Sequence, residues 1–496
     1  MRGTDQIGRG RRGATTTMRR ATCALFALAM SFRLTGVHAA RLGGAATYET
    51  TSFKVEYGTD YKIVTTKATE AGMTPKTYVL YKRGRTGGPP TSHGSTSLSG
   101  FPTFAYPVER VAAYVSTAMG YMEQLGLRSK LVLVDAANVH SPCIQYDEAQ
   151  GLITGSSDHW SDGGTIWATD VAAMTPAVEM VLIDEWNTGA TGLNGPTGTP
   201  MDVEFASSNG GLGMLQRTEQ VKFLSLFFDI EADAEAYYND QVDRWNLQTA
   251  AVLENQARGH IPSGLKCAWV SKIGSTITFS DASYKRELCE AAGLTLHAPT
   301  GTYTTTAFHA EVQNVAIIID ESYQFTPSTY TKANLWADFA LSDSTAGGLP
   351  VLSTSTGRIL RLDKHVSDIL NGVYNHANPE ESLAWFEAPY VHPALVLQDL
   401  TRIVYWEGVA GVEPIAAGCP KFFRDMNADE NVQVTGGSYD ECALWDNART
   451  QKTCLAKELQ QRETIEGLYL LAASGVDSIV TVTTFVALAI VAIIAY

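Results

Sequence analysis

The pattern of hydrophobic and polar positions divides the chain into segments of different character. Short runs in which apolar and polar residues alternate occupy 53–57, 61–64 and 78–81, and they are rich in aromatic and β-branched residues. This period of two predicts short antiparallel strands. A stretch rich in Gly, Pro, Ser and Thr follows at 84–100 and predicts a loop.

Continuous apolar runs replace the alternation in the next part of the chain. The runs 111–115, 131–134 and 180–184 each have the length of a strand, and 118–127 has the spacing of a helix. Strands that are apolar on both faces are typical of a parallel sheet with helices packed on it. The pattern therefore predicts an α/β lobe.

The segment 215–245 contains neither Gly nor Pro, and apolar residues recur in it at helical spacing among Glu, Gln and Lys. It predicts the longest helix of the chain, roughly 30 residues or about 45 Å long. The connection 187–213 before it is rich in Gly, Thr, Asn and Pro and predicts a functional or disordered loop. Strand and helix patterns then alternate again at 267–271, 283–292, 315–320, 359–363 and 395–406.

These segments predict an α/β fold of two parallel-sheet, Rossmann-like lobes joined by one long backbone helix, with a ligand cleft between the lobes. A chain of 496 residues is long enough for more than one core. The expected division is a signal peptide at 1–39, a strand extension and loop at 40–100, an N-terminal α/β lobe at 101–214, the connecting helix at 215–245, a C-terminal α/β lobe at 246–410, a cysteine-containing segment at 411–474 and a hydrophobic tail at 475–496.

The N-terminus has the layout of a secretory signal. Two arginines after Met18 precede the apolar run 21–32, and small residues end the run at 37–39. Translation from Met18 would give a signal of ordinary form. A mitochondrial or plastid presequence is the alternative interpretation.

The C-terminal tail is uninterrupted apolar sequence from Phe485 to Tyr496, and a cluster of small residues lies before it at 472–475. Small residues, a spacer and an apolar tail are the layout of a GPI-attachment signal. A membrane span over 476–496 is the alternative, because about 20 residues suffice to cross a bilayer. No basic residues follow it, which favours the GPI signal. Either alternative predicts a body that reaches the cell surface through the secretory pathway and is membrane-anchored there.

Charge narrows the range of expected partners. The formal net charge is −15 at pH 7, and removal of residues 1–39, which carry seven Arg and one Asp, would take it to about −21. So acidic a body is a poor partner for nucleic acid or anionic lipid. The supply of 9 Trp, 21 Tyr and 17 Phe suffices to fill cores and to line a pocket. We expect a folded monomer.

The cysteines predict disulfide bonds. Of the seven, Cys23 lies in the predicted signal, and the even number that remains suits an oxidising compartment. No C-x-x-C pair occurs, which removes the main support for a zinc ribbon or a thioredoxin-like site. The expected pairs are Cys267 with Cys289 across a strand-turn-helix unit, and Cys419 with Cys442 or Cys454.

Several motifs in order resemble one known family. They are Tyr106-Pro107-Val108-Glu109-Arg110-Val111, Leu125-Gly126-Leu127 into Leu131-Val132-Leu133-Val134-Asp135, and Thr175-Pro176-Ala177-Val178-Glu179-Met180 into the run that ends at Asp184. Together with 219–228, which is similar to the start of a connecting helix, they resemble the periplasmic substrate-binding proteins with a helical backbone. That family captures ferric siderophores, haem or cobalamin or, in a sister group, metal ions. The resemblance covers about 100–406, and the predicted signal and tail would make the chain a eukaryotic-type secreted member.

The resemblance implies a non-enzymatic protein that captures a small ligand between its lobes, where loops at the carboxyl ends of strands meet. It implies no resident cofactor, although the ligand itself would contain iron or cobalt. The family's usual partner is an ABC transporter fed from the periplasm. The connection 187–213, the segment after 410 and the apolar tail depart from the bacterial pattern, so the receiving transporter or receptor stays open.

Residues that directly follow the predicted strands are the candidate ligand contacts, because they would lie at the cleft. Trp186 and Tyr323 offer flat apolar faces with a polar handle, which suits a bulky ligand. The full set is Ser116, Thr117, Asn138, His140, Ser141, Asp184, Glu185, Trp186, Ser271, Lys272, Glu321, Tyr323 and Lys364.

Three other functions are kept as alternatives. His140 and His159 with Glu185 and Glu321 would suit zinc, iron or manganese, so direct metal binding and a metal-dependent hydrolase on the same scaffold are two of them. No H-x-x-x-H or H-E-x-x-H spacing supports a metal site. The motif G-x-S-x-G and phosphate-binding glycine loops do not occur, which argues against serine hydrolysis and nucleotide use. A structural or adhesive surface protein is the third.

Overall fold

The computed structural model describes residues 41–42, 46–69, 73–156, 165–184, 201–207, 209–341, 357–367, 381–405, 421–436, 438 and 442. The predicted signal peptide, the C-terminal tail, and the residues His159, Glu185, Trp186, Cys419 and Cys454 lie outside these ranges. Within the ranges, no helix is both long and apolar enough to cross a membrane.

An antiparallel sheet comes first along the chain, as the alternating pattern predicts. Its strands and a small separate hairpin are β1 (Thr47–Glu49), β2 (Phe53–Tyr57), β3 (Tyr61–Thr66), β4 (Thr77–Lys82), the hairpin strands β5 (Ser92–His93) and β6 (Thr96–Ser97), and β7 (Thr103–Tyr106). The sheet order is β1-β2-β3-β4-β7, with only the β4–β7 pair parallel among these neighbours. In β2, Phe53 and Val55 are buried while Lys54 is partly exposed.

A five-stranded parallel sheet follows and defines the N-terminal lobe. Its elements are β8 (Val111–Ala113), α1 (Thr117–Gln124), β9 (Leu131–Asp135), α2 (Pro142–Ala149), β10 (Thr154–Ser156), α3 (Thr165–Ala173), β11 (Met180–Ile183) and β12 (Asp202–Glu204). The order is β10-β9-β8-β11-β12, and every neighbouring pair is parallel. All residues of β8 and β11 are buried, which confirms that their apolar runs are covered on both faces.

Strand β12 corrects the prediction of a loop over 187–213. The described part of that connection contributes a strand that pairs with β11. Val203 and Phe205 are fully buried there, because the alternate apolar positions of 201–205 face the hydrophobic core and extend it by one strand.

The prediction of one helix over 215–245 is wrong at its centre. The chain instead forms α4 (Met214–Thr218), α5 (Gln220–Ser225) and the long helix α6 (Glu231–Ala257). Asp229 adopts a left-handed conformation, with φ of 62°, in the turn that precedes α6. The long backbone helix of 27 residues is thus present, although it starts and ends later than the pattern indicates.

The turn before α6 separates two different environments. Phe223, Phe227 and Phe228 are buried, and they precede a helix with many exposed residues. The ammonium of Lys62 donates to the Leu226 carbonyl oxygen over 2.9 Å, which satisfies a carbonyl that the turn leaves outside a helix. Tertiary packing therefore overrides the absence of Gly and Pro.

A second sheet defines the C-terminal lobe. Its elements are β13 (Lys266–Ile273), β14 (Thr276–Phe279), α7 (Ser283–Ala291), β15 (Thr295–Leu296), β16 (Thr302–Tyr303), α8 (Thr305–Glu311), β17 (Ile317–Asp320), α9 (Lys332–Asp338) and β18 (Arg358–Arg361). Strands β15, β13, β17 and β18 are parallel, whereas β14 and β16 extend the sheet antiparallel. The strand, helix and strand order confirms the predicted second α/β unit.

The last part of the described chain returns to both lobes. It contains β19 (His365–Ser367), α10 (Pro393–Tyr405), β20 (Arg424–Asp425) and β21 (Gln433–Thr435). Strand β20 pairs with β18 and extends the second sheet, while β21 pairs with β19. Helix α10 confirms the closing helix predicted at 395–406 and packs on α6.

The hydrophobic core of the N-terminal lobe is shared with the antiparallel sheet. Phe53, Phe104 and Val111 belong to one buried cluster with residues of α5. The ring centroids of Phe104 and Phe227 lie 5.5 Å apart, in an edge-to-face arrangement. The antiparallel sheet is therefore packed on the body of the lobe.

The disulfide bonds confirm one prediction and contradict another. Cys267 is bonded to Cys289, as expected, and the bond joins β13 to α7. Cys442 is bonded to Cys143 in α2, so the pairing of Cys419 with Cys442 is wrong, while the alternative pairing of Cys419 with Cys454 stays a prediction. The two bonded residues are 299 positions apart, and only the folding of the C-terminal segment onto the N-terminal lobe brings them together.

Candidate functional site

The topology of both sheets indicates where a ligand site would lie. In the N-terminal lobe, β8 has β9 on one side and β11 on the other, so successive connections leave in opposite directions at this point. The same change of direction occurs between β13 and β17 in the C-terminal lobe. Open α/β sheets bind ligands at the carboxyl ends of strands next to such a switch point. The candidate site is therefore the region at the carboxyl ends of β8, β11, β13 and β17.

The N-terminal lobe contributes the residues that follow β8 and β11. Ser116 is partly buried and lies at the start of α1. Thr117 is buried, and its Oγ1 accepts a hydrogen bond from Ser207 Oγ over 2.7 Å. Asp184 is partly buried directly after β11. The structure thus places these predicted residues at the switch point of one sheet.

Asn138 and His140 follow β9, one strand away from that switch point. Asn138 Nδ2 donates to Asp135 Oδ2 over 2.6 Å. His140 is fully buried, and its Nε2 lies 3.0 Å from Thr435 Oγ1 in β21. Burial, with the nearby His365 as the second cause, lowers the pKa of His140 to about 3. The imidazole is therefore neutral at physiological pH and packs against the C-terminal segment.

The C-terminal lobe places Lys272 and Glu321 in ion pairs. Lys272 Nζ lies 3.4 Å from Asp338 Oδ1. Glu321 accepts a hydrogen bond over 2.6 Å from the buried ammonium of Lys285. Burial lowers the pKa of Lys285, and the Glu321 carboxylate acts against that change. These pairs fix Glu321, which follows β17, and Lys272, which lies near the carboxyl end of β13. Ser271, also near the carboxyl end of β13, and Lys364, after β18, are partly buried.

A buried charge network supports this edge of the C-terminal lobe, and sequence reasoning missed it. Asp320 at the end of β17 and Asp363 after β18 both bind the Arg361 guanidinium, with Arg361 Nε 2.6 Å from Asp363 Oδ2. Arg424 in β20 lies 2.9 Å from Asp363 Oδ1. Burial raises the pKa of Asp320, and Arg361 opposes that rise. The network, Asp320, Arg361, Asp363 and Arg424, carries balanced charge and holds three strand ends in register.

An exposed aromatic pair lies directly after β17. Tyr323 is 56% exposed and Phe325 is 53% exposed, and their ring centroids are 5.1 Å apart at 78°. Sequence reasoning singled out Tyr323 but missed Phe325, two positions further along the same loop. Large exposed aromatic side chains at a strand end offer a binding surface rather than a core. The aromatic pair, Tyr323 and Phe325, is the accessible apolar feature at this switch point.

The two lobes approach each other at the carboxyl ends of their sheets. The rings of His140, after β9, and His365, after β18, have centroids 6.5 Å apart. The buried Glu387 carboxylate accepts hydrogen bonds from the backbone N–H groups of His140 and Ser141, over 2.5 and 2.9 Å. A carboxylate is favoured there because Ser141 is the N-cap of α2. Burial, with the charges of Lys364 and Lys421 as lesser causes, lowers the pKa of His365 to about 4.

The described residues bring no group of three His, Cys, Asp or Glu side chains together for a metal ion. Of the proposed metal set, His140 is engaged by Thr435 and Glu321 by Lys285. His159 and Glu185 lie outside the described ranges. Trp186, the other aromatic candidate, also lies outside them. The role of the placed residues as ligand contacts stays a prediction.

Comparisons with known proteins give similarity of structure only. No family model matches the chain, and no curated protein matches it. Similar solved structures include a periplasmic haem-binding protein from Pseudomonas aeruginosa, with 14% identity and a TM-score of 0.39 over 66% of this chain and 99% of that chain. A periplasmic binding protein from Veillonella parvula has 13% identity and a TM-score of 0.40 over 60% of this chain and 85% of that chain.

A periplasmic catecholate-siderophore binding protein from Vibrio cholerae has 14% identity and a TM-score of 0.35 over 52% of this chain and 85% of that chain. All three are periplasmic binding proteins. TM-scores this low carry no argument about the fold or the ligand of this chain. The α/β class, with one parallel sheet and one mixed sheet, follows from the strand pairings themselves.

Proposed function

We propose that the chain is a secreted, surface-tethered binding protein that captures a small ligand between its two lobes. The observation that carries the proposal is the exposed aromatic pair at the carboxyl end of β17, beside the switch point of the C-terminal sheet. The adjacent charge network and the Lys285–Glu321 pair fix the strand ends on which the pair is mounted. A rigid support of this kind reduces the entropy lost on binding.

The ligand class that fits this surface carries aromatic or macrocyclic groups together with polar groups. A ferric siderophore, haem or a corrinoid would stack on aromatic faces and keep polar groups for the partly buried Asp184 and Lys272. Such a ligand brings its own iron or cobalt, so binding needs no resident cofactor. The family resemblance of the 106–184 motifs supports the same class.

The location and the partners belong to the same proposal. The predicted secretory signal at the N-terminus and the predicted GPI signal or membrane span at the C-terminus support a protein held at the cell surface. The acidic body would act as a monomer without nucleic acid, and would pass its ligand to a transporter or receptor in the same membrane. Direct metal binding and hydrolysis have no supporting cluster among the described residues.

The proposal is tested on the secreted body purified without added ligand. The absorbance spectrum and mass of any copurifying molecule would identify a haem, a corrinoid or a ferric chelate. Titration with haem, cobalamin and a ferric catecholate chelate then compares wild type with the Tyr323→Ala/Phe325→Ala double variant. We expect at least a tenfold loss of affinity for the probe that binds, equal to about 1.4 kcal/mol.

The matched control is Leu253→Ala, which removes a side chain that is 51% exposed on α6, a helix outside the C-terminal sheet. Its affinity should equal that of wild type. Equal affinity in the double variant would remove the aromatic pair from the site. Failure of wild type to bind any of the three probes would contradict the proposed ligand class.

A further inference from the structure

The C-terminal segment 421–442 begins on the C-terminal lobe. Phe422 and Phe423 are buried in that lobe's core, and their backbone N–H groups donate to Asp399 Oδ2 in α10, over 2.7 and 3.0 Å. Strand β20 then pairs with β18 at the edge of the sheet. This first part is thus an integral strand of one lobe.

The same segment ends on the N-terminal lobe. Thr435 at the end of β21 is hydrogen-bonded to the His140 ring, which follows β9. Seven residues later, Cys442 is disulfide-bonded to Cys143 in α2. Arg128, before β9, directs its Nη1 to Cys442 Sγ over 3.7 Å. The described residues of this segment, 421–436, 438 and 442, therefore reach from one lobe to the other, and the bond at Cys442 fixes the far end covalently.

We propose that this segment, through its described residues 421–436, 438 and 442, forms a strap that locks the two lobes together along one side, with the Cys143–Cys442 bond as its lock. The strap contacts the N-terminal lobe at His140, which follows β9. It joins the C-terminal sheet through its own strand β20, which pairs with β18. Strands β11 and β12 lie on the other side of β8, and β13 and β14 lie on the other side of β17. The strap therefore restricts separation of the lobes on its own side more than on the opposite side, which carries Asp184 and Lys272.

The strap holds the two lobes together along one edge, and this edge acts as the hinge between them. The contact of Glu387 with the N–H groups of His140 and Ser141 lies on the strapped side as well. Rotation about this edge would widen the space at β11 and β13 while it leaves the β9 edge closed. Residues that follow β9, such as Asn138 and His140, then serve the hinge, whereas those at the carboxyl ends of β11 and β13 line the entrance.

The Cys143–Cys442 bond opens when a dithiol reduces it to two thiols. A dithiol reductant attacks one sulfur through its thiolate, forms a mixed disulfide, and closes to a cyclic disulfide. Two electrons and two protons pass to Cys143 and Cys442, which become thiols. The bond is buried, since Cys143 is fully inaccessible and Cys442 is 6% exposed. Exchange with a dithiol therefore requires local opening of the strap first.

The test uses amide hydrogen exchange, followed by mass spectrometry, on the full secreted chain without ligand. The Cys143→Ser/Cys442→Ser variant should exchange at least tenfold faster at the amide of Ser141 and in β21 (433–435). The Ser141 amide is informative because its acceptor, Glu387, belongs to the opposite lobe. The radius of gyration from X-ray scattering should also increase.

The matched control is Cys267→Ser/Cys289→Ser, which removes the bond between β13 and α7 within one lobe. It should accelerate exchange in those elements and leave Ser141 unchanged. Wild-type exchange at Ser141 and β21 in the first variant would overturn the strap. If that variant does not fold, graded treatment of wild type with a dithiol gives the same comparison. Because no ligand is present, the outcome is independent of the proposed function.

Discussion

The Nζ atom of Lys62 lies 2.6 Å from Oε1 of Glu231, and both side chains are buried. Lys62 belongs to β3 of the antiparallel sheet, and Glu231 is the first residue of the long helix α6. The same ammonium lies 3.1 Å from Asp229 and 4.0 Å from the centre of the Tyr106 ring. One cation therefore fixes the N-terminal sheet to the start of the helix that joins the lobes.

Replacement of this cation should destabilise the whole fold. In Lys62→Met, the Glu231 carboxylate stays buried without its partner, and burial already raises its pKa against the opposing effect of Lys62. Removal of one member of a buried pair typically costs about 3–5 kcal/mol. We expect a loss of that size in the free energy of unfolding, measured by urea denaturation at pH 7.

Lys54→Met is the control for this prediction. Lys54 pairs with Glu56 on the surface of β2, where the two side chains are 39% and 31% exposed. Surface pairs contribute about 1 kcal/mol or less. Similar urea midpoints in the two variants would show that the buried pair has no special role.

The buried His140 ring should make stability depend on pH. Its pKa in the folded state is lowered to about 3, below the ordinary value of 6.5, so folding favours the neutral ring. That stabilisation is complete above about pH 6.5 and is lost as the pH falls towards the folded-state pKa. At pH 5 the expected loss from this ring is about 2 kcal/mol relative to pH 7.5.

The measurement is the free energy of unfolding of wild type and His140→Gln between pH 7.5 and 5. The glutamine side chain keeps a polar group near Thr435 but does not titrate, so its acid-induced loss should be smaller by about 2 kcal/mol. His260→Gln, at an exposed position after α6, is the control and should follow wild type. Parallel curves for wild type and His140→Gln would contradict the prediction.

Much of the fold was predictable from the sequence because it depends on neighbouring segments of the chain or on strands that are buried on both faces. The apolar runs that became β9 and β17 need only a covering helix on each side to be strands. Cys267 and Cys289 are 22 residues apart and lie on a strand and the next helix, so the chain itself brings them close. Local patterns of this kind are sufficient to predict these strands and this disulfide bond without knowledge of contacts between distant residues.

The features that were missed or wrong depend on residues distant in sequence. The break before α6 depends on Lys62 in β3, which reaches the Leu226 carbonyl from 164 positions away. The burial of His140 depends on Thr435, 295 positions away. Phe325 was missed because exposure of an aromatic residue is set by what surrounds its loop. No periodic pattern in the sequence indicates contacts between residues that lie so far apart along the chain.

A single methyl group in α1 should reveal how closely the lobes approach. A Cβ atom on Gly120 would lie 2.2 Å from the carbonyl oxygen of Glu387, which is backbone and has little freedom to move. Alanine in place of glycine ordinarily stabilises a helix by about 1 kcal/mol. In Gly120→Ala, overpacking should reverse the sign and cost about 2 kcal/mol, measured by urea denaturation. The displaced Glu387 should also accelerate amide exchange at Ser141, which binds its carboxylate. A higher urea midpoint with unchanged exchange would mean that the lobes separate readily at this contact.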